Sequence, residues 1–342
     1  MRTYSIEKGS DIFFTGGRVL FRNGEVILGY TNSFLEFKVN GDSVSAIMRT
    51  GDNLDVDAPG LRIYVDGKEY KEIVLDKTKD RIRIWDLDQN FKIKQHTIRI
   101  VKITEAAMSF VAIGNVEVDG VLERMIRVPD SRKKFEFIGD SITCGFGVRG
   151  EPEAEYTIRD EDGEQSYAAF ITEDLDLNSR WVSVSGYGVF VDYNGNPMDV
   201  LPKVYGYTNW FYDKEELNDH SEFDPDVIVV NLGTNDSGHF NETGILKGFK
   251  AAYESFLYLL RTYHRNSSIL CVIGTLSPSA YEPVEEVVTK MCDDGFEDLY
   301  LLRLPEHDPE KDGMGSFHPS AKTHKKDAER IKDFLLSNGI IV

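Results

Sequence analysis

Four short motifs hold the residue types that acyl transfer needs. Gly139-Asp140-Ser141 follows the apolar run FEFI, and Ser185-Gly186-Tyr187-Gly188 follows WVSV. Gly233-Thr234-Asn235-Asp236 follows VIVVNL, and Phe317-His318-Pro319 opens the last helical segment. A serine hydroxyl is a weak nucleophile at its free pKa and needs a neighbouring base. Ser141 is the candidate nucleophile. His318 is the candidate base, because an imidazole accepts a proton near neutral pH and can return it. The backbone N–H groups of Ser141 and Gly186 and the side-chain amide of Asn235 can converge on one developing oxyanion. Removing one such donor typically costs on the order of 10²-fold or more. Gly186 has no Cβ to obstruct a substrate, and Gly188 is the fallback donor in the same motif. Taken singly, each motif reads as a turn or a helix start. Their placement at successive element ends argues for a shared site, with hydrolysis through an acyl-serine as the reaction.

These motifs need a scaffold that brings strand ends together. From about residue 135 onward, apolar runs (FEFI, WVSVS, VIVVNLG, ILCVIG, LYLLRL) alternate with amphipathic segments near 166–176, 244–264, 281–293 and 319–337. In the second segment Ile245, Phe249, Ala252, Phe256 and Leu260 share one stripe. VIVVNL is apolar almost throughout, as a strand covered on both faces requires. The pattern predicts an α/β fold, a doubly wound parallel sheet with helices on both faces and ligands at the carboxyl ends of its strands.

Residues 1–128 read differently. Short runs alternate apolar and polar positions (FLEFKV, SVSAIM, LRIYV, KEIVL, RIRIW, HTIRIV, SFVAIGNVEV), separated by Asn23-Gly24, Asn40-Gly41 and Asp66-Gly67 as turn signals. The expectation is a β-sandwich over 1–128 and a catalytic domain over 129–342, with the boundary in the polar stretch RVPDSRKK at 127–134.

The chain has 342 residues and a formal net charge of −19, which argues against nucleic acid or an anionic membrane surface as partner and suits a neutral substrate. No stretch is long and apolar enough for a membrane span, and the N-terminus lacks a signal-peptide pattern, so a cytoplasmic protein is expected. Cys144, Cys271 and Cys292 fit neither a disulfide framework nor a zinc site, and no cofactor or metal is expected. Cys144 reads as a small buried hydrophobe, and Asp140 and Asp236 as braces of their turns. His220 and His239 read as solvated loop residues. Composition leaves the oligomeric state open.

Gly-Asp-Ser, a glycine after the next strand, Gly-x-Asn-Asp and a late histidine, in that order, resemble the SGNH (GDSL-type) hydrolases over about residues 135–342. A sandwich ahead of that domain, with GGRVL near its start and HTIRIVKITEA near its end, resembles carbohydrate esterase family 2, as do HPSAKTH and SGYG. The resemblance implies a jelly-roll shaped like a carbohydrate-binding module, followed by a serine esterase that removes acetyl groups from sugars. It implies Ser141 as nucleophile, His318 as base, and Ser141, Gly186 and Asn235 as oxyanion donors. The substrate implied is an acetylated xylo-, manno- or gluco-oligosaccharide. Rival readings are a lipase- or thioesterase-like hydrolase, or a sugar-binding protein with an inactive hydrolase domain.

One position departs from the SGNH pattern. An aspartate usually stands three residues before the histidine, and here Gly315 does. A Ser-His dyad is therefore expected, its imidazole oriented by a backbone carbonyl near Ser316, with Asp312 as the rival orienter. Phe317 and Trp210 are the aromatic candidates for lining the sugar or acyl pocket.

Overall fold

The computed structural model describes all residues except 53, 88–92, 127–129 and 342. The expected boundary at 128/129 therefore lies outside the described residues.

The N-terminal part holds strands β1 (Arg2–Tyr4), β2 (Phe13–Gly16), β3 (Val19–Arg22), β4 (Glu25–Leu28), β5 (Phe34–Arg49), β6 (Gly60–Val65), β7 (Lys68–Val74), β8 (Lys79–Asp86), β9 (Gln95–Lys102) and β10 (Val111–Glu123), with one short helix, α1 (Leu54–Asp57). All described pairings among these strands are antiparallel. Strand β5 belongs to both layers of the sandwich. Its first half pairs with β2 and β9, its second half with β8, and β10 runs beside it from Lys38 to Arg49. Leu35, Phe37 and Val39 point into the core while Lys38 and Asn40 are exposed, the period-two pattern of a half-buried strand.

Asn23-Gly24 and Asp66-Gly67 are hairpin turns, with φ of 54° and 75° in the first and 52° and 77° in the second. Positive φ at both central residues matches the twist of the flanking strands. Asn40-Gly41 is not a turn, and this corrects the expectation. Gly41 lies opposite Gly120 where β5 and β10 bend together, and a Cβ on Gly41 would stand 2.3 Å from the Asp119 carbonyl oxygen. Glycine serves close backbone approach there, so FLEFKV and SVSAIM form one 16-residue strand.

The second part is a five-stranded parallel sheet in the order β12-β11-β15-β16-β17, formed by β11 (Lys134–Gly139), β12 (Asn178–Ser183), β15 (Val227–Asn231), β16 (Ser268–Thr275) and β17 (Leu299–Glu306). The short hairpin β13 (Tyr207–Asn209) and β14 (Asp213–Leu217) lies outside this sheet. The helices are α2 (Ser141–Cys144), α3 (Tyr167–Asp174), α4 (Leu201–Tyr205), α5 (Thr234–Ser237), α6 (Ile245–Tyr263), α7 (Tyr281–Asp293), α8 (Pro309–Asp312) and α9 (Ala321–Ser337). Each β15 residue is buried, as expected of a central parallel strand. On one face Ile138, Ile228 and Val230 pack with Phe249, Phe256 and Leu260 of α6. On the other, Phe135, Phe137 and Val229 pack with Ile171 of α3 and Ala328 and Ile331 of α9. Fully burying such a side chain contributes roughly 1.5–3 kcal/mol, so these apolar periods hold the strand ends in fixed relation.

Buried polar bonds join the two parts. Arg18 lies 3.2 Å from Glu136 of β11, with both side chains inaccessible, and Arg62 lies 2.9 Å from both Asp162 and Glu164. Ion pairs of this kind add little net stability, but breaking one is costly, so they fix how the sandwich seats on the parallel sheet. Among the described residues no helix is long and apolar enough to cross a membrane.

Candidate active site

The β11-to-α2 turn presents the serine. Asp140 caps α2 through a bond from the Ile142 N–H at 3.0 Å, and Gly145 ends the helix with a φ of 77°. Gly139 is required because a Cβ there would lie 2.0 Å from the Thr143 hydroxyl oxygen. The result is a tight elbow with Ser141 at its apex and only 6% exposed.

His318 does not begin the last helix, which starts at Ala321. It lies in β19 (His318–Pro319), paired with β18 (Met314–Gly315), so that Gly315 faces His318. The intervening Ser316 and Phe317 have φ of 47° and 61°. A left-handed conformation at a non-glycine residue costs of order 1–3 kcal/mol and persists only where the surroundings impose it. Here they do: the Ser316 N–H donates to the Glu151 carbonyl at 2.8 Å and the Phe317 N–H to the Pro152 carbonyl at 3.0 Å. The turn places His318 Nε2 2.9 Å from Ser141 Oγ and Nδ1 3.0 Å from the Ser316 carbonyl oxygen. A carbonyl only accepts, so Nδ1 carries the proton and Nε2 offers its lone pair to the serine hydroxyl. Burial holds the imidazole below its usual pKa, opposed by the Ser316 carbonyl.

The second and third motifs arrive beside Asp140. The Asn235 amide donates to the Tyr187 carbonyl at 3.0 Å and stands 3.4 Å from an Asp140 carboxyl oxygen. That longer contact leaves one amide hydrogen weakly engaged. Burial pushes the Asp140 carboxyl up to about 7. Gly186 has a φ of 78°, and a Cβ on it would strike the Tyr193 ring at 2.8 Å. Its N–H meets no partner among the described residues. Gly188, the fallback, packs elsewhere: a Cβ there would stand 2.4 Å from an Asp236 carboxyl oxygen. Asp236 accepts from the N–H groups of Val189, Phe190 and Val191 at 2.9, 2.8 and 3.0 Å, bracing the loop against α5.

Several candidates stand apart. Asp312 is held by Lys326 and Lys322, at 2.5 and 3.1 Å, and the His318 Nδ1 it was to orient is already taken by Ser316. Trp210 packs against Tyr207 at 4.7 Å and beneath Lys203 and Lys214, which makes it an anchor of the β13–β14 hairpin. Phe317 stays beside His318, 58% exposed at the tip of the turn. His220 and His239 are half-buried and partnered. The first stacks on Tyr263 at 3.7 Å, and the second bonds Glu242 at 2.6 Å and the Tyr193 carbonyl at 3.1 Å. Cys144 is fully buried, its thiol pushed well up by burial.

Sequence reasoning missed Phe146, although it stands in the same glycine-rich stretch as Ser141. Its ring centroid lies 4.5 Å from that of His318, and Tyr156 stacks on it at 3.6 Å. Tyr193, 65% exposed over Gly186, was also missed, because nothing in VDYNGN signals contact with a residue seven positions back. Among the described residues no group of three His, Cys, Asp or Glu side chains is gathered as a metal site requires.

A serine–histidine pair at the carboxyl end of a doubly wound parallel sheet defines an α/β serine hydrolase. The family model for the GDSL-like Lipase/Acylhydrolase family matches residues 137–326, more than half of the sequence, and the chain belongs to that family. A second family model, carbohydrate esterase 2 N-terminal, matches residues 15–129. The chain is 27% identical over 316 residues to cellulase/esterase CelE of Acetivibrio thermocellus, covering 88% of this chain and 36% of that protein. It is 28% identical over 147 residues to an acetylxylan esterase / glucomannan deacetylase of Cellvibrio japonicus, covering 42% of this chain and 40% of that one. It thus spans less than half the length of these curated relatives. A family two carbohydrate esterase from Clostridium thermocellum, solved in complex with cellohexaose, superposes with a TM-score of 0.85 at 25% identity, covering 96% of this chain and 100% of that one.

Proposed function

We propose that this chain is a carbohydrate O-acetyl esterase working through an acetyl-Ser141 intermediate, with residues 1–128 as the sandwich domain and 129–342 as the catalytic domain. The observation that carries the proposal is the relay from the Ser316 carbonyl through His318 to Ser141, with bonds of 3.0 and 2.9 Å. The names of the relatives support the substrate class: an esterase joined to a cellulase, an acetylxylan esterase / glucomannan deacetylase, and an esterase holding cellohexaose.

In this mechanism Ser141 Oγ attacks the acetyl carbonyl while His318 Nε2 takes its proton. The N–H groups of Ser141 and Gly186 and the Asn235 amide receive the developing oxyanion. The imidazolium then returns its proton to the departing sugar oxygen, leaving acetyl-Ser141. Water attacks that ester, His318 accepts the water's proton, and acetate leaves as Ser141 recovers its hydrogen. The Ser316 carbonyl orients the imidazole without adding a negative charge, so this is a dyad.

The test is acetate release, followed by mass spectrometry, from acetylated xylo-, manno- and gluco-oligosaccharides. Short acetyl esters alongside long-chain esters are the comparison, and Ser141→Ala is the control. Acetate release that depends on Ser141 is expected. Rates rising with acyl length contradict the acetyl-sugar reading, and equal behaviour of native and Ser141→Ala protein contradicts the enzyme.

A further inference from the structure

The loop carrying Gly186 is held from outside the catalytic domain. The Ser185 N–H, one residue before Gly186, donates to Glu105 Oε2 at 2.8 Å. Glu105 follows strand β9 of the sandwich and is completely buried. The turn that presents it is itself pinned. Lys102, equally inaccessible, donates through Nζ to the Thr104 and Glu105 carbonyls at 2.6 and 2.8 Å, and the Gly163 N–H donates to the Ile103 carbonyl at 2.9 Å. A carboxyl group buried among protein atoms is retained only at a cost, and its fixed place needs a reason. Glu105 Oε1 has no hydrogen-bond partner of good geometry among the described residues, and Lys102, Cys144 and Glu161 lie near the carboxyl group; the backbone bond it makes into the catalytic loop is the one from Ser185.

We infer that Glu105 is a positioning residue for the oxyanion site: the sandwich domain supplies the acceptor that fixes the Ser185-Gly186 backbone so that the Gly186 N–H faces the reacting carbonyl. This rests on the proposed acetyl-Ser141 mechanism. An oxyanion donor works only when its direction is set before the charge develops. Ser185 and Gly186 lie beyond the end of β12, where the sheet ladder no longer constrains them, and Gly186 has the freest backbone of any residue type. The Tyr193 N–H holds the loop at the Gly186 carbonyl at 2.9 Å, and Glu105 holds it on the other side at the Ser185 N–H. The sandwich is then part of the catalytic apparatus as well as any sugar-binding surface it offers.

The bond asks only for an oxygen acceptor, and this decides the test. Glu105→Met keeps the volume but removes the acceptor, and Glu105→Gln keeps an oxygen in reach of Ser185. In the full chain, with folding checked by circular dichroism, Glu105→Met is expected to lower kcat on acetyl esters by on the order of 10- to 100-fold with KM nearly unchanged. Glu105→Gln is expected to recover most of that loss. In an Asn235→Ala background, the loss from Glu105→Met is expected to shrink, since both changes weaken one oxyanion site. A folded Glu105→Met protein with native kcat overturns the inference, as does Glu105→Gln no better than Glu105→Met. Ser141→Ala, measured in parallel, separates the two ideas. Activity surviving Ser141→Ala sinks the parent mechanism, whereas a dead Ser141→Ala with a fully active Glu105→Met sinks only the role of Glu105.

Discussion

Gly315 occupies the place where related hydrolases carry the triad carboxylate, and restoring it is the obvious engineering step. The structure predicts that Gly315→Asp fails. A Cβ at 315 would lie 2.1 Å from the Gly147 carbonyl oxygen and 2.6 Å from that of Gly150. Both obstacles are backbone, so no rotamer change relieves them, and a displacement of about 1 Å is needed to reach ordinary contact. Overpacking of this kind costs about 1–3 kcal/mol, and the new carboxylate would enter beside two carbonyl oxygens and a Gly150 N–H that already donates to the Gly147 carbonyl. At about 2–4 °C per kcal/mol for a domain of this size, the melting temperature falls by about 2–12 °C. Because Gly315 pairs directly with His318, the displacement reaches the imidazole, and misplacement by about 1 Å can cost about 10²-fold in rate. Thermal melts and kcat on an acetyl ester measure both effects. A Gly315→Asp protein with unchanged melting temperature and raised kcat would show that position 315 accepts a carboxylate without displacing the 147–150 backbone.

Asn235→Ala is expected to lower kcat by about 10²–10³-fold with little change in KM, measured by steady-state kinetics; a KM-only effect contradicts the oxyanion assignment. His318 must be neutral to accept the serine proton, and burial lowers its pKa, so kcat/KM should be flat from neutral pH and fall toward acid with a midpoint below 6.5. A midpoint above 6.5 in the pH-rate profile would argue for a carboxylate partner. Asp312→Asn should leave kcat unchanged, because Asp312 is engaged by Lys326 and Lys322; collapse of activity would make it the orienter after all.

Ser141, Gly186 and Asn235 were legible as candidates because each follows a parallel strand, and such strands deliver their carboxyl ends to one edge; His318, on the antiparallel β18–β19 turn, was legible only from its place in the motif order. The His-orienting carbonyl was legible for a related reason: without a carboxylate at 315, the nearby backbone is what remains. Other features had no local signal. Asn40-Gly41 looks like a turn, but a glycine needed for close approach of two backbones has the same spelling as one needed for positive φ. The left-handed Ser316-Phe317 turn contains neither Gly nor Asn and is imposed by the 151–152 backbone, so the start of α9 was read too early. Trp210 was singled out by residue type, and its packing against Tyr207 and beneath Lys203 and Lys214 shows only in the assembled β13–β14 hairpin. Glu105 sits in the sandwich, 80 residues from the loop it holds, and only the assembled interface shows what it does.

The proposed mechanism requires an acetyl group to pass through Ser141. Intact-mass spectrometry on enzyme quenched during turnover of an activated acetyl ester tests it most directly. The expected result is a population heavier by one acetyl group, mapped to Ser141 after digestion, that accumulates when His318 is replaced by Ala and the ester is reactive enough to acylate without a base. Turnover with the acetyl group on another residue, or undiminished turnover in Ser141→Ala protein, would contradict it.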